Sequence, residues 1–386
     1  MTTNQRFQFL IDPDIIYLNH GSFGACPRPV FEVYQSWQRE LERNPTDFFA
    51  RKIGFPGDGT GPLYESRKAL GDLINVSAAN LFLTINVTVA INAIARSFQE
   101  HLQPGDEILT TDHKYGTIAA AWEQVCEKSG AILKRHELML PVTTHEDFVE
   151  SFWSAVTPRT KVIVISHITS PTALILPIGE ICRRAREAGI ISVIDGAHAP
   201  GQIPVDIQTI NPDFYGGNCH KWLCAPKGSA FLYVRPEHQG MLEPLVISWA
   251  WVEELPFSEV HSMWGTRDQA AWLSIPAAIE FQKKHNWPVI RERCHQLLKN
   301  ARQQIIDLTG LPPIAPADKG WFRQMASMQL PALVDAKKLR LQLFEDYRIE
   351  VPVFEWNGRN LIRISVQGYN TPDDLKRLFA ALGDLL

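Results

Sequence analysis

Short apolar runs alternate with helical patterns between Leu81 and Val234, and this alternation constrains the fold more than any other feature of the sequence. The runs are LFLTI, DEILTT, AILKRHEL, KVIVISH, IISVID, PDFYGGN and SAFLYV, and helical segments such as TVAINAIARSFQEHL separate most of them. Runs that are apolar throughout, such as VIVIS, are typical of strands covered on both faces. We therefore predict an α/β fold with a mostly parallel sheet of about seven strands covered by helices.

The pattern changes after Val234, where longer helical segments replace the alternation. GTRDQAAWLSIPAAIEFQKKH and PVIRERCHQLLKNARQQIIDL each predict a long helix, and strand-like runs and a terminal helix follow them. A chain of 386 residues is long enough for a large domain and a smaller one. We predict an N-terminal arm that lines the cleft (residues 1–30), a large domain (31–261) and a small C-terminal α+β domain (262–386).

Composition argues against several classes of function. The net charge of −4 and the lack of a basic run disfavour nucleic-acid binding. No apolar run has membrane-spanning length and the start MTTNQRFQFL lacks the features of a secretion signal, so we expect a cytoplasmic protein that does not bind membranes. The six cysteines are scattered without a CxxC pair, which is typical of reduced thiols. Cys219, His220 and Cys224 are close in sequence, but their spacing fits no ligand pattern, and we predict no metal.

Polar side chains follow several of the predicted strands, and ligands of such sheets bind beyond the carboxyl ends of the strands. Asp195 ends the run IISVID and Lys221 follows the run FYGGN of the same sheet, so both can face one pocket. Pyridoxal 5′-phosphate (PLP) requires this pair, because an acid keeps its ring nitrogen protonated and a lysine forms the Schiff base. An aspartate at this place is also a common N-cap or turn residue.

Lys221 has neighbours that are unusual for a solvated lysine, since His220 precedes it and Trp222 follows it. Burial and nearby positive charge lower the pKa of a lysine and favour the neutral amine that a Schiff base needs. We therefore predict that Lys221 is the covalent anchor of the cofactor.

Further side chains in these loops have chemistry that suits PLP. Thr88 lies at a strand-to-helix junction, where amides attract a phosphate, although a threonine there can also be a simple N-cap. His113 or Tyr115 could pack on the ring, and His113 could equally be a hydrogen-bonded loop histidine. The remaining candidates are Asn218 and His220 as phosphate donors, Gly265 and Thr266 as an amide-rich terminus before a long helix, and His198 and Ser170 at the ring hydroxyl.

Arg363 stands inside the apolar run NLIRISV, where a charged side chain requires either a partner or an exposed face. A guanidinium binds a carboxylate through two parallel hydrogen bonds, as an amino acid substrate would require. Arg363 is therefore a candidate for substrate binding, and its alternative place is the solvent face of an alternating strand.

The order of motifs resembles the class V aminotransferase group of fold-type I PLP enzymes, and within it the isopenicillin N epimerase-like branch. The stretches that carry the resemblance are NVTVAIN, DHKYG, SHITSPTALILPI, VIDGAHAPGQIPVDI, GNCHKWLCAPKG, WGTRD and IRIS. They fall between YLNHGSFGACPRPV and LIRISVQGYNTPDDLKRL, so the resemblance covers nearly the whole chain.

The resemblance implies a role for each candidate. Lys221, Asp195 and His113 would be catalytic, with Lys221 in the Schiff base, Asp195 at the pyridine nitrogen and His113 stacked on the ring. The other implied contacts are His198 near the ring hydroxyl, Thr88, Asn218, His220 and the Val87 backbone at the phosphate, Arg363 at the substrate carboxylate, and Asn19 and His20 at the substrate. Tyr115 is a further candidate for substrate binding. Gly265 and Thr266 would reach the phosphate of a neighbouring subunit, which implies a homodimer with shared active sites.

Two departures from the family pattern bear on function. Asn218 stands where many relatives have serine or threonine. Related cysteine desulfurases carry a persulfide-forming cysteine on the loop before Arg363, whereas this chain has no cysteine after Cys294. A persulfide relay is therefore disfavoured, but a C–S lyase that eliminates sulfur without such a cysteine stays open.

We predict a PLP-dependent enzyme that acts at the α-carbon of an amino acid or amino-acid derivative, with epimerase or racemase chemistry. Removal of the α-proton by Lys221 would be followed by reprotonation from the opposite face, by Tyr115 or His113. A C–S lyase and an aminotransferase share the first steps and are the alternatives. A non-catalytic binding relative would not need Lys221 and Asp195, and a dehydrogenase would need a glycine-rich fingerprint after the first strand that this chain lacks.

Overall fold

The computed structural model describes residues 5–53, 60–113 and 115–386, so residues 1–4 of the predicted arm lie outside it. Its strands are β1 (Ile16–Tyr17), β2 (Leu81–Thr84), β3 (Glu107–Thr111), β4 (Ile132–His136), β5 (Thr160–Ser166), β6 (Ile191–Asp195), β7 (Phe214–Asn218), β8 (Ala230–Val234), β9 (Met325–Leu330), β10 (Ile349–Glu350), β11 (Val353–Trp356) and β12 (Arg359–Ser365).

The central sheet has seven strands in the order β2-β8-β7-β6-β5-β3-β4. Strands β3 to β7 run parallel to one another, and only β8 runs antiparallel to the strands on either side of it, β2 and β7. The predicted α/β fold with a mostly parallel sheet of seven strands is confirmed. The strands β5, β6 and β7 lie side by side, so their carboxyl ends meet at one edge of the sheet.

Helices cover both faces of this sheet. In chain order the α-helices are α1 (His20–Phe23), α2 (Arg28–Arg43), α3 (Pro45–Asp47), α4 (Gly61–Ile74), α5 (Val87–Phe98), α6 (Gly116–Ser129), α7 (His145–Trp153), α8 (Ile178–Glu187), α9 (Ile207–Ile210), α10 (Trp249–Val252), α11 (Phe257–Val260), α12 (Ala270–Leu273), α13 (Ile275–Lys284), α14 (Trp287–Thr309), α15 (Ala336–Glu345) and α16 (Pro372–Leu385).

The core explains why the strand sequences are apolar throughout. Along β5, Val162 and Val164 pack into one buried cluster, with residues of α5 and α6, whereas Ile163 and Ile165 pack into a second cluster. Successive side chains of a strand point to opposite faces, so both faces of β5 are covered. Burial on both faces favours an uninterrupted run of branched apolar residues, as in VIVIS.

The C-terminal part contains a separate antiparallel sheet in the order β11-β12-β9. This sheet falls within residues 262–386, and the seven-stranded sheet falls within residues 31–261, although the domain boundaries themselves stay a prediction. The segment predicted as one long helix from Gly265 is instead two helices, α12 and α13, that meet at Ser274. Pro276 stands in the first turn of α13, where its missing N–H is tolerated, and it could not continue α12 without a clash.

The N-terminal arm is paired with the C-terminal part rather than with the central sheet. Strand β1 pairs in parallel with β10, and Asn19 forms an isolated bridge with Ser365 at the end of β12. This pairing brings α1 of the arm beside the loop that carries Lys221, as the site below shows. None of the described helices combines the length and apolar character needed to cross a lipid bilayer.

Candidate active site

A cavity of about 520 Å³ lies at the carboxyl ends of the central strands. Ser170 follows β5, Asp195 ends β6 and Asn218 ends β7, so the topology of the sheet brings them together. The residues that line the cavity are Ser22, Phe23, Ile85, Asn86, Val87, Thr88, Tyr115, Ile118, Ile168, Ser170, Asp195, Ala197, His198, Asn218, His220, Lys221, Lys227 and Gly228. Nine of the predicted site residues are in this set, namely Val87, Thr88, Tyr115, Ser170, Asp195, His198, Asn218, His220 and Lys221.

The amine of Lys221 lies in this cavity with Nζ 3.2 Å from Nε2 of His198. The pKa of Lys221 is lowered from 10.5 to about 8, mainly by burial and also by the positive charge of Arg363, and the negative charge of Asp195 opposes both effects. A substantial fraction of the amine is therefore neutral near physiological pH, and only the neutral amine is nucleophilic or basic.

The hydrogen bonds of His198 favour the same neutral amine. The indole N–H of Trp222 donates to Nδ1 of His198 at 3.4 Å, so the proton of the neutral imidazole lies on Nε2, the atom that faces Lys221. That N–H can donate to the lone pair of a neutral amine but not to an ammonium group. The pKa of His198 is held well below its usual value, first by burial and then by the charges of Lys221 and Arg363.

Asp195 is buried at the end of β6, and its partners are uncharged. Its Oδ2 accepts from the Ser166 hydroxyl at 3.3 Å and its Oδ1 accepts from the Ala197 N–H at 3.1 Å. Among the ion pairs of the described residues none involves Asp195. A buried carboxylate without a cationic partner is unfavourable, and a protonated pyridine nitrogen would supply that partner, so this side of the cavity fits PLP.

Helix α5 begins at the cavity wall, and Asn86 is its N-cap. The Asn86 side chain accepts from the Val89 N–H at 2.9 Å, so Thr88 is not the N-cap and its side chain lines the cavity. The Val87 N–H donates to Oδ1 of Asn218 at 3.0 Å, which ties the start of α5 to the end of β7. A backbone contact of Val87 with a phosphate stays a prediction, and it would require this N–H to change partner.

His220 precedes Lys221 and also lines the cavity. Its Nδ1 donates to the Ser229 carbonyl at 3.1 Å, because a carbonyl oxygen only accepts. Burial lowers the pKa of His220 to about 4, and the charges of Lys221 and Lys227 contribute to that shift. The neutral ring therefore keeps its proton on Nδ1 and leaves a lone pair on Nε2.

Arg363 of β12 is buried, which rules out the solvent-exposed alternative, and it borders the cavity through two lining residues. Its Nη1 donates to the Ser170 carbonyl at 2.6 Å and to the Ser170 hydroxyl at 3.2 Å, and its Nη2 donates to the Ser22 hydroxyl at 2.9 Å. Its buried Nε has no hydrogen-bond partner among the described residues. Burial lowers the pKa of Arg363 to about 10, so the guanidinium stays charged at neutral pH.

The N-terminal arm contributes different residues from those predicted. Asn19 and His20 do not line the cavity, whereas Ser22 and Phe23 do. The side chain of Asn19 bonds to Ser22 and donates to Oε1 of Glu350 at 3.1 Å. His20 is fully buried, and its Nε2 donates to the Lys221 carbonyl at 3.0 Å, so it holds the backbone of Lys221.

His113 and Tyr115 are placed differently although they are close in sequence. Tyr115 lines the cavity and is half exposed. His113 is fully buried and is not part of the lining, because Nδ1 bonds to the Thr172 hydroxyl at 2.7 Å and the ring packs edge-on against Trp356 at 4.3 Å. Burial lowers its pKa to about 3. Stacking of His113 on the ring of PLP stays a prediction.

Gly265 and Thr266 are exposed and lie outside the cavity lining. They do not form a helix terminus, because α12 begins only at Ala270. The Ala270 N–H donates to Oδ1 of Asp268 at 2.7 Å, a local turn that keeps the preceding residues in a loop. The helix N-terminus therefore lies after these two residues, and their contact with a phosphate stays a prediction.

Ser22, Phe23 and Lys227 are lining residues that sequence reasoning did not single out. The signals were present, since the motif HGSFGA includes the two arm residues and the motif APKG follows Lys221 closely. Among the described residues no group of three or more histidine, cysteine or acidic side chains is arranged to bind a metal ion. None of the six cysteines, all of which are described, lines the cavity.

The fold and the site define an α/β protein in which a partly buried lysine and a buried aspartate follow adjacent strands of one sheet. The sequence model of the family described as aminotransferase class-V matches residues 57–378. The chain belongs to this family, as its motifs predicted.

Curated relatives match over almost the whole chain. An isopenicillin N epimerase of Amycolatopsis lactamdurans is 34% identical over 99% of this chain and 98% of its own length. An isopenicillin N epimerase of Streptomyces clavuligerus is also 34% identical, over 98% of this chain and 97% of its own. A probable chloroplastic L-cysteine desulfhydrase of Arabidopsis thaliana is 29% identical, over 97% of this chain and 84% of its own. The similarity to the epimerase-like branch is thereby confirmed.

A solved structure of a C-DES variant, with glycine covalently linked to its PLP cofactor, has the same fold. It superposes with a TM-score of 0.84 at 20% identity and covers all of both chains. The apo cysteine desulfurase of Thermococcus onnurineus NA1 gives a TM-score of 0.84 at 19% identity, over 98% of this chain and 96% of its own.

Proposed function

We propose that the protein is a PLP-dependent epimerase that acts at the α-carbon of an amino acid or amino-acid derivative. The observation that carries the proposal is the partly buried Lys221 amine, which has a lowered pKa and shares one cavity with Asp195. Identity of 34% to two isopenicillin N epimerases over nearly full length supports this reaction over others of the family.

PLP, when bound, withdraws electrons from the α-carbon of an amino acid attached to it. The chain supplies the other requirements. Asp195 provides negative charge for the ring nitrogen, and the neutral amine of Lys221 can accept the α-proton. Arg363, held by Ser170 and Ser22 at the edge of the cavity, can bind the substrate carboxylate and fix the orientation of the α-carbon.

Epimerisation also requires a proton donor on the side opposite Lys221. Tyr115 and His113 were both candidates, and only Tyr115 has its side chain in the cavity lining. A phenol hydroxyl can donate a proton and recover it from solvent, since Tyr115 is half exposed. We therefore assign the second proton transfer to Tyr115.

A C–S lyase is the second candidate, and the similarity to a probable L-cysteine desulfhydrase favours it over an aminotransferase. Elimination of sulfur uses the same α-proton removal by Lys221. A persulfide relay has no residue to carry it, because none of the six cysteines lines the cavity.

We also propose a cytoplasmic homodimer, in which Gly265 and Thr266 of one subunit approach the site of the other. Both residues are exposed in the single chain, and the preceding segment exposes the apolar side chains of Ile247, Trp249 and Trp251. Exposed apolar side chains grouped in one segment suit a protein interface better than solvent.

The test of the reaction is deuterium exchange at the α-carbon in D₂O, with chiral analysis of the product. Purified protein with PLP should absorb in the visible, exchange the α-proton of its substrate and invert its configuration. Lys221→Ala should abolish both exchange and the absorbance that borohydride fixes. Release of a keto acid and sulfide without inversion would replace the epimerase by the lyase. Failure to bind PLP at all would overturn both candidates.

A further inference from the structure

A second lysine, Lys227, lines the same cavity as Lys221, and the proposed reaction does not use it. Its Nζ donates to the Gly24 carbonyl of the N-terminal arm at 3.0 Å. An ammonium group has three N–H donors, and the described residues provide this one acceptor. Lys227 is an exposed residue, so its remaining N–H groups are open to solvent and to a ligand that enters the cavity.

The loop after Lys221 places Lys227 beside His220. The backbone N–H groups of Cys219 and His220 both donate to the Ser229 carbonyl, so the end of this loop lies next to its beginning. Gly228, between Lys227 and Ser229, lines the cavity as His220 does. The charge of Lys227 accordingly contributes to the lowered pKa of His220, whereas it is not among the causes of the lowered pKa of Lys221.

The charges at this end of the cavity have no acidic counterpart. Asp195 is the one carboxylate among the described lining residues, and it suits the ring nitrogen of PLP. The described ion pairs do not include Lys227. A cation, a histidine and the start of helix α5 thus line the same cavity, and this set favours an anion.

We propose that Lys227 binds the phosphate of PLP, together with His220 and Thr88. The inference deepens the proposed function and rests on it, since it assumes that PLP occupies the cavity. Lys227 supplies the N–H donors that neutral His220 lacks on the cavity side, because the proton of His220 is held on Nδ1 by the Ser229 carbonyl. The phosphate dianion would in turn favour protonation of His220.

Lys227 also contacts the N-terminal arm, and the experiment must separate this structural effect from binding of the phosphate. The same ammonium holds the Gly24 carbonyl, so its removal could loosen the arm and weaken binding of any ligand. Pyridoxal, which lacks the phosphate, reports that general effect, because it forms the same Schiff base with Lys221. The ratio of the dissociation constants of pyridoxal and PLP therefore isolates the phosphate contact.

The experiment measures both dissociation constants from the visible absorbance of wild-type, Lys227→Met, Lys227→Arg and Lys161→Met proteins. In Lys227→Met the affinity for PLP should fall about 10- to 100-fold more than the affinity for pyridoxal, as expected for loss of a charge-assisted hydrogen bond. Lys227→Arg should keep most of the wild-type ratio. Lys161 is an exposed residue of β5 outside the cavity lining, so Lys161→Met should leave the ratio unchanged.

The outcomes separate this inference from the function on which it depends. Equal loss for PLP and pyridoxal in Lys227→Met would overturn the phosphate contact and leave Lys227 as a clamp for the arm. An unchanged ratio with a raised KM for substrates that carry a second carboxylate would assign Lys227 to the substrate, and would also overturn it. If wild-type protein forms no PLP complex, the proposed function itself fails.

Discussion

At the scale of single residues, the proposed chemistry of the site depends on what lowers the pKa of Lys221. Burial is the main cause of its lowered pKa, and the proton of His198 on Nε2 adds a donor that suits the neutral amine. The sequence could single out Lys221, because it stands between a histidine and a tryptophan just after a strand. It could not predict the tautomer of His198, which depends on the indole of Trp222 as a neighbour in space.

The pKa of Lys221 should be visible in the reaction of the apo protein with PLP. The rate of capture should rise with pH through a midpoint of about 8, because only the neutral amine attacks the aldehyde. In Arg363→Gln the midpoint should move upward, since one of the charges that lower the pKa is removed. Stopped-flow absorbance across pH 6 to 10 measures both. A midpoint near that of an ordinary lysine, about 10.4, would contradict the burial of the amine.

Ser22 should affect substrate binding although it was not among the predicted residues. Its hydroxyl accepts from Nη2 of Arg363, so Ser22→Ala removes one of the groups that orient the guanidinium. We expect KM to rise about 3- to 10-fold with a smaller change in kcat, as for loss of one neutral hydrogen-bond partner. Ser22→Thr keeps the hydroxyl and should restore most of the affinity. A wild-type KM in Ser22→Ala would show that Arg363 is positioned by Ser170 alone.

At the scale of helices and strands, regular segments could be predicted and their ends could not. The strands of the central sheet follow from uninterrupted apolar runs, which exist because both faces are covered. The start of α12 was placed too early, because the turn formed by the Asp268 side chain decides it and the helical pattern does not. Thr88 and Asn86 are both common capping residues, and the hydrogen bond to Val89 decides between them.

The contact between the arm and the lysine loop should depend on Gly24. Its φ is +69°, and an added Cβ would lie 1.9 Å from the carbonyl oxygen of His220. Gly24→Ala should therefore lower the free energy of unfolding by about 1–3 kcal/mol more than Gly105→Ala, since overpacking adds to backbone strain. Gly105 also has a positive φ, +87°, but open space around it, so it isolates the steric effect. Equal destabilisation in urea unfolding would show that the arm can move away.

At the scale of the whole molecule, the single chain leaves one predicted contact unexplained. Gly265 and Thr266 are exposed and lie outside the described lining of the cavity in their own chain. No pattern within one sequence shows which surface a second copy covers. The exposed apolar side chains of Ile247, Trp249 and Trp251 indicate where such a surface can lie. In the proposed dimer, this segment and the loop with Gly265 and Thr266 would both contact the second subunit.

Mixed dimers test whether the site is shared. Lys221→Ala should be inactive because its own lysine is missing, and Thr266→Glu should be impaired because its carboxylate would repel the phosphate bound by the partner. If each site combines Lys221 of one subunit with Thr266 of the other, a hybrid of the two variants contains one site with both defects and one with neither. Random exchange of subunits should then restore about a quarter of the wild-type activity.

Light scattering should give twice the mass of one chain, and two different affinity tags verify that hybrids form. Verified hybrids without recovered activity would place Thr266 in the same site as the Lys221 of its own chain. Full activity of Thr266→Glu alone would place Thr266 in no site, and a monomeric mass would remove the shared site altogether.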